Sequence, residues 1–524
     1  MSSKRLGSGD AERRARLEEL ARRITVEGSR ERRPVRAPFT GQVLGRIPEC
    51  TAADVEAAAV RGRMAQASWR RRGFRERSRI FRRFHDLVLK RQDEALDLIQ
   101  LESGKARRHA FEEIADAALV SRYYAYHGGR HLRSRRRRGA FPGLTATRED
   151  RVPLGVVGII SPWNYPLTLA VSDAIPALLA GNAVVLKPDP QVSFTALWAA
   201  ELLSVAGLPP DLLNLVTGDG PRLGPPLIDA VDFLSFTGST ETGRLVARRA
   251  AERLIPCSLE LGGKNAMIVL GDADLGLAVK GAVRGCFSNA GQLCLSIERL
   301  YVAESVYGRF RERFVERTRA LRLGSKLTYE ADVGSLISRE QLDRVEAHVA
   351  DAVGNGARVL AGGRTRPDVG PLFYEPTVLE GVTPEMRTFR EETFGPVVAL
   401  RPVASLDEAV RLANCSPYGL NASVWTRDAA LARGVADRLE AGTVNLNEAY
   451  AAAWASVDAP MGGFKDSGLG RRHGAEGILK YTESRTVASQ RLLPLAPPPG
   501  MEARRYAALV SRMLRVLARI PLLR

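Results

Sequence analysis

The chain has 524 residues, 45% of them hydrophobic and 26% charged, with 77 Lys and Arg against 59 Asp and Glu for a formal net charge of +18. That composition excludes a mostly disordered polymer and leaves length for roughly two to four domains with full cores. No apolar run reaches the ~20 residues that cross a bilayer, and the Arg- and Glu-rich N-terminus lacks a secretory signal, so a cytoplasmic protein is expected.

In chain order, residues 1–37 read as a basic extension: eleven Lys or Arg stand against six Asp or Glu up to residue 38. From there to about residue 133 the pattern is mostly helical and is expected to pack on the sheet that follows. A basic run, Arg133 and Arg135 to Arg138, closes this part. Leu154–Ile160, Ala183–Leu186, Leu212–Val216 and Val231–Phe236 then read as short buried strands bounded by Gly, Pro or Asn. Helical stretches at Thr195–Ala206 and Thr240–Arg253 separate them, and such alternation predicts a parallel sheet covered by helices. A second α/β pattern runs from Ala266 to about Val444, with strands at Ala266–Leu270, Leu300–Val302 and Val397–Leu400. Two α/β lobes with a cleft between them are predicted.

Residues 501–524 form a separate feature. Tyr506, Leu509, Val510, Met513, Leu514 and Leu517 fall at helical spacing, with arginines interspersed. Such a basic amphipathic helix either lies on an anionic membrane surface or docks on the protein body or a neighbouring subunit. The excess positive charge sits in these peripheral segments, and no groove-reading or base-stacking motif accompanies it, so nucleic acid is not an expected partner.

The cysteines, Cys50, Cys257, Cys286, Cys294 and Cys415, are odd in number and widely spaced, with no C-x-x-C pair. They predict neither a disulfide framework nor a metal site. Cys294 follows Gly291-Gln292-Leu293, and Glu260 opens Glu260-Leu261-Gly262-Gly263-Lys264. A thiol among small and polar residues serves as a nucleophile, and a carboxylate as the base of a hydrolytic step. Each also has a plainer reading, the cysteine as core packing and the glutamate as a surface group. Spacing alone does not bring them together.

The ordered series of motifs does more. It runs Ser161-Pro162-Trp163-Asn164-Tyr165-Pro166, Lys187-Pro188, Phe236-Thr237-Gly238-Ser239, Leu259-Glu260-Leu261-Gly262-Gly263-Lys264, Asn289-Ala290-Gly291-Gln292-Leu293-Cys294, Glu392-Thr393-Phe394-Gly395-Pro396-Val397 and Ser467-Gly468-Leu469-Gly470-Arg471. In this the chain resembles the aldehyde dehydrogenase superfamily from about residue 38 to residue 490. The resemblance implies an α/β fold with a Rossmann-like cofactor domain (38–133 and 154–258) and an α/β catalytic domain (259–483) whose end packs back on the first. It also implies a small β oligomerisation element (a hairpin at 134–153 with a strand at 484–498) and a homodimer or homotetramer.

By the same resemblance Cys294 attacks an aldehyde carbon, and the oxyanion is held by the Asn164 amide and the Cys294 backbone N–H. Hydride passes to a nicotinamide, and Glu260 activates the water that releases the acid. Ser161, Trp163, Leu261, Gly238, Ser239 and Gly243 are expected around the cofactor, with the start of the helix at Thr240 facing its pyrophosphate. Lys187 is expected on the adenosine ribose, Glu392 on the nicotinamide ribose and Phe394 beside the ring. NAD-preferring relatives carry Glu where this chain has Pro190, which favours NADP, with NAD as the alternative.

The nearest group resembled is the actinobacterial type of succinate-semialdehyde dehydrogenase; a broader aliphatic or aromatic aldehyde oxidiser is the alternative. Thr168, Ser172, Ser288 and Ser456 are the candidate substrate contacts. Ser172 and Ser288 stand where better-studied semialdehyde enzymes place an arginine pair, and Arg472 stands where the wider family has Glu. Ser456 is the remaining expected carboxylate contact, a weaker anchor than an arginine pair, and Arg472 puts the family's proton relay during deacylation in question.

Overall fold

The computed structural model describes residues 9–139, 145–490 and 496–519. The N-terminal segment is not a detached extension. Helix α1 (Asp10–Ala21) buries Leu17, Leu20 and Ala21 in the first core, and strands β1 (Arg32–Arg36) and β2 (Val43–Pro48) form an antiparallel hairpin beside it. Its arginines are absorbed by acids of the body: Arg16 bonds Glu201 at 2.8 Å and Arg30 bonds Asp54 at 2.8 Å. Among the described residues, part of the positive charge that reads as an extension in sequence is thus matched in space.

Four helices follow, α2 (Ala52–Trp69), α3 (Phe74–Lys90), α4 (Gln92–Ser103) and α5 (Arg107–Leu132). The first opens on a capping box between Thr51 and Asp54, which satisfies free backbone N–H groups at its start. Strands β3 (Arg135–Arg138) and β4 (Thr145–Pro153) then pair antiparallel.

The first large sheet contains β5 (Val156–Ser161), β6 (Ala183–Pro188), β7 (Leu213–Leu215), β8 (Phe233–Thr237) and β9 (Cys257–Glu260), all parallel. Between them lie α6 (Pro166–Ala180), α7 (Ser193–Ala206), α8 (Gly220–Ala230) and α9 (Thr240–Glu252). The strand order is β9-β8-β5-β6-β7, so the chain winds one way from β5 and the other way through β8. The reversal between β5 and β8 leaves a crevice at their carboxyl ends, where sheets of this kind bind ligands.

The second sheet contains β10 (Asn265–Val269), β11 (Ile297–Ala303), β12 (Arg358–Ala361), β13 (Thr377–Glu380) and β14 (Val397–Val403). After β15 (Tyr418–Gly419), which lies outside it, β16 (Asn421–Trp425) and β17 (Thr443–Leu446) complete it. Its order is β12-β13-β14-β11-β10-β16-β17, parallel except for β12. β18 (Phe464–Lys465) pairs with β15, and β19 (Gly468–Leu469) crosses back to pair antiparallel with β9. That return sets Gly468 opposite Glu260 and carries the following residues to the mouth of the first sheet.

In the stretch 484–498, where a strand is expected, the structure has β20 (Thr482–Gln490), which ends at Gln490; residues 496–498 are not strand. Strand β20 pairs along its whole length with β4, making a three-stranded antiparallel sheet with β3. Residues 491–495 and the hairpin tip 140–144 lie outside the described residues. The C-terminal helix spans Ala503–Leu517; Tyr506, Val510, Met513 and Leu517 on its apolar stripe are half-buried and none of its side chains is fully buried. Among the described residues no helix is long and apolar enough to cross a membrane, and no cluster of metal-ligating side chains occurs.

Candidate active site

The site is built at the carboxyl ends of the first sheet. Glu260 ends β9, Ser161 ends β5, and Asn164 lies in the turn from β5 to α6. Cys294 comes from the other lobe, on the loop between α10 (Leu275–Phe287) and β11. That loop is held in an uncommon shape. Asn289, Ala290 and Gly291 all have positive φ, at 51°, 54° and 72°. A Cβ on Gly291 would collide with the Gly395 carbonyl. Left-handed residues in sequence cost energy unless their surroundings hold them. Here Gln292 does so, its Oε1 accepting the Ile337 N–H at 2.9 Å and its Nε2 donating to Asn289 O at 3.1 Å.

Cys294, Glu260 and Asn164 line one cavity. Asn164 is fixed from behind by a buried pair. Lys105 Nζ donates to Glu113 Oε1 at 2.5 Å and to the Asn164 carbonyl at 2.7 Å, and Glu113 Oε2 accepts the Leu167 and Thr168 N–H groups at the start of α6. Asn164 Nδ2 donates one hydrogen to Gln292 O at 3.2 Å, which leaves the other for a ligand. Burial pushes the Cys294 thiol up to about 12, with the carboxylates of Glu392 and Glu260 adding to the effect. Burial also pushes Glu260 up to about 7, opposed by the charges of Arg472 and Lys480. Its Oε1 has no hydrogen-bond partner. A carboxyl group poised near neutrality can take and return a proton at physiological pH.

The remaining cavity wall is mixed. Thr168 and Ser172 line it, as expected of substrate contacts, together with Tyr165, Leu169, Trp454 and Met461. Ser172 does not present a free hydroxyl, because its Oγ donates to the buried Asp116 at 2.6 Å. Ser288 and Ser456 do not line the cavity. Ser288 opens the nucleophile loop, its Oγ accepting the Tyr450 hydroxyl at 2.9 Å. Ser456 is exposed and donates to Ala452 O at 2.7 Å. Asp116 and His473 also line the cavity; His473 adjoins Arg472 in sequence, whereas Asp116 lies on α5, far from every motif.

The expected cofactor residues gather at the adjoining crevice. Ser239 caps α9, accepting the Thr242 N–H at 3.2 Å, and the helix start beyond it offers N–H groups and a favourable dipole to a phosphate. Gly243 is required on that helix, since a Cβ there would lie 2.5 Å from the Leu261 side chain. Ser161 Oγ is buried without a partner, and Lys187 Nζ has one long contact, 3.5 Å to Pro188 O. Pro190 begins a short turn after β6, and Asp189 caps that turn, accepting the Gln191 N–H at 2.9 Å. Glu392 accepts the Gly263 N–H at 2.8 Å, and burial pushes its carboxyl up to about 8. Trp163 and Phe394 meet edge to face at 5.4 Å. Orphaned hydroxyl and ammonium groups beside a helix N-terminus fit a ligand rich in sugar hydroxyls and phosphates, which is the chemistry of a dinucleotide.

A doubly wound parallel sheet with an open crevice, set against a cavity holding a thiol, an amide and a buried carboxyl group, defines an α/β enzyme equipped for covalent chemistry at cysteine. The chain belongs to the aldehyde dehydrogenase family, whose model matches residues 25–487. It is 52% identical, over 97% of its own length and 98% of the relative's, to a Mycolicibacterium smegmatis protein with the provisional name succinate-semialdehyde dehydrogenase, NADP(+). A Mycobacterium tuberculosis protein with the same kind of provisional name is 50% identical over 97% of this chain and 98% of that one. Among solved structures, an Escherichia coli NADP-dependent enzyme is 36% identical with a TM-score of 0.85, over 89% of this chain and 97% of its own. Betaine aldehyde dehydrogenase of Staphylococcus aureus, in complex with NAD+, is 32% identical with a TM-score of 0.86, over 92% and 97%.

Proposed function

We propose that this chain oxidises succinate semialdehyde to succinate, with NADP as hydride acceptor and Cys294 as nucleophile. The observation that carries the reading is the meeting of Cys294, Glu260 and Asn164 around one cavity beside the dinucleotide crevice; the relatives' provisional names supply the substrate and cofactor. Cys294 Sγ adds to the aldehyde carbon, and its proton leaves to a base in the cavity. The free N–H of Asn164 Nδ2 and the Cys294 backbone N–H hold the oxygen as it becomes negative. When bound, the dinucleotide supplies the hydride acceptor. Loss of hydride from the tetrahedral carbon leaves a thioester on Sγ. Glu260 then takes a proton from water as the water adds to the thioester, and the acid departs with the thiol restored. Pro190 removes the carboxylate that would repel a 2′-phosphate, and Lys187 lies beside it.

Initial-rate measurements with succinate semialdehyde and butanal, each with NADP and NAD, test this reading. The expected result is a kcat/KM about a hundredfold higher for the semialdehyde, with NADP preferred. Equal values for the two aldehydes would reduce the reading to general aldehyde oxidation.

The three-stranded sheet is proposed to join subunits. Its edge strand β3 carries four exposed arginines, a common guard against pairing, whereas β20 presents an exposed row ending at Gln490. Sedimentation equilibrium is expected to give two or four chains per particle, and a monomer would contradict it.

A further inference from the structure

Of the four hydroxyls expected to meet the substrate, three are committed elsewhere, Ser172 to Asp116, Ser288 to Tyr450 and Ser456 at the surface; Thr168 Oγ1 remains unpartnered in the cavity wall, but a neutral hydroxyl anchors a carboxylate more weakly than a guanidinium does. Arg472 is the one side chain lining the cavity that carries a full positive charge, because burial holds His473 neutral, pulled down to about 3. Arg472 is 7% exposed, and its Nε and Nη2 are buried with no hydrogen bond. Nη2 lies 3.3 Å from Asp173 Oδ2 without hydrogen-bond alignment. Asp173 is itself held by Lys480 Nζ at 3.1 Å and the Tyr481 hydroxyl at 2.9 Å. The pair therefore balances the charge of Arg472 while leaving donors of its fork unused. Buried guanidinium N–H groups almost always find acceptors; here Nε has none and Nη2 has only the misaligned contact with Asp173, so in the wall of a reaction cavity this fork suits an anion.

We propose that Arg472 receives the distal carboxylate of the substrate and orients the aldehyde end toward Cys294. The inference rests on the reading of the substrate as succinate semialdehyde and supplies the anchor that Ser172 and Ser288 lack. A planar fork suits a carboxylate better than any hydroxyl does. Asp116 sets where that carboxylate sits. The Asp116 carboxylate accepts the Ser172 hydroxyl, so Ser172 offers an anion no free donor and the Arg472 wall is the seat. Placement of Arg472 follows from chain topology: β19 pairs with β9 at Glu260, and the Arg472 N–H bonds Met461 O at 2.7 Å.

The test compares kcat/KM for succinate semialdehyde and butanal, with saturating NADP, in the unaltered enzyme, Arg472→Gln, Arg472→Lys and the double variant Arg472→Gln with Asp173→Asn. In the single variants Asp173 keeps Lys480 and the Tyr481 hydroxyl as partners, and the double variant removes both charges of the buried Arg472–Asp173 pair, so a loss common to both does not come from a stranded charge. The ratio of the two kcat/KM values is expected to fall about a hundredfold in the Gln variants, mainly through KM for the semialdehyde, and less in the Lys variant. An unchanged ratio, with both substrates slowed alike, would overturn the proposal and leave Arg472 a positioning residue beside Glu260. If the unaltered enzyme shows no preference, the substrate reading fails first, and the anchor falls with it.

Discussion

Replacement of Cys294 by alanine is expected to lower kcat/KM for aldehyde oxidation by roughly four to six orders of magnitude, since a covalent route has no second nucleophile to fall back on. The other cysteines are poor substitutes. Cys286, eight residues earlier in sequence, is buried in the core of the second lobe. Cys50 is buried beside Thr217, and Cys415 is exposed away from the cavity. Alanine removes a side chain that is only half-buried, so the fold and its melting temperature are expected to change little. Initial rates of nicotinamide reduction, read beside a thermal melt, check both halves. A folded Cys294→Ala protein with undiminished turnover would remove the catalytic assignment.

Replacement of Glu260 by glutamine separates the two halves of the reaction. The thioester still forms, so one equivalent of reduced nicotinamide is expected in a burst. Steady turnover then falls by about 10²- to 10⁴-fold because no base activates the water. The pH dependence follows from the raised carboxyl group. Glu260 works as a base when ionised, and burial pushes it up to about 7. Deacylation is therefore at full rate above that value and falls as the pH drops through it, by about tenfold per unit once well below. In the glutamine variant this limb is expected to vanish. Rapid-mixing absorbance from pH 5 to 9 (a range chosen to span roughly two units on either side of 7) reads both effects. A burst lost together with steady turnover would place Glu260 in the first step instead.

Much of this was legible in the sequence, for physical reasons that differ from place to place. The strands expected at Ala183–Leu186 and Val397–Leu400 are found at Ala183–Pro188 and Val397–Val403, because short apolar runs bounded by turn residues have few other ways to be buried. The helix at Thr240 begins where Ser239 can cap it. What local pattern does not carry is pairing across distance. The acids that neutralise the N-terminal arginines, Glu201 and Asp54 among them, lie in other helices, so the segment reads as a detached basic extension. Likewise the serines at 288 and 456 are set by motif alignment alone, and only three-dimensional packing shows Tyr450 standing over one and solvent over the other. Asp116 reaches the cavity from α5 and Arg472 from the segment that follows β19, a meeting no spacing predicts.

The central claim is a covalent acyl-enzyme at one sulfur. The measurement that tests it most directly is peptide mass analysis of the Glu260→Gln variant, quenched after mixing with succinate semialdehyde and NADP. A succinyl group on the peptide that contains Cys294, matched to the reduced nicotinamide released in the burst, is the predicted result. Reduced nicotinamide formed with Cys294 unmodified, or with the acyl group on another residue, would contradict the account.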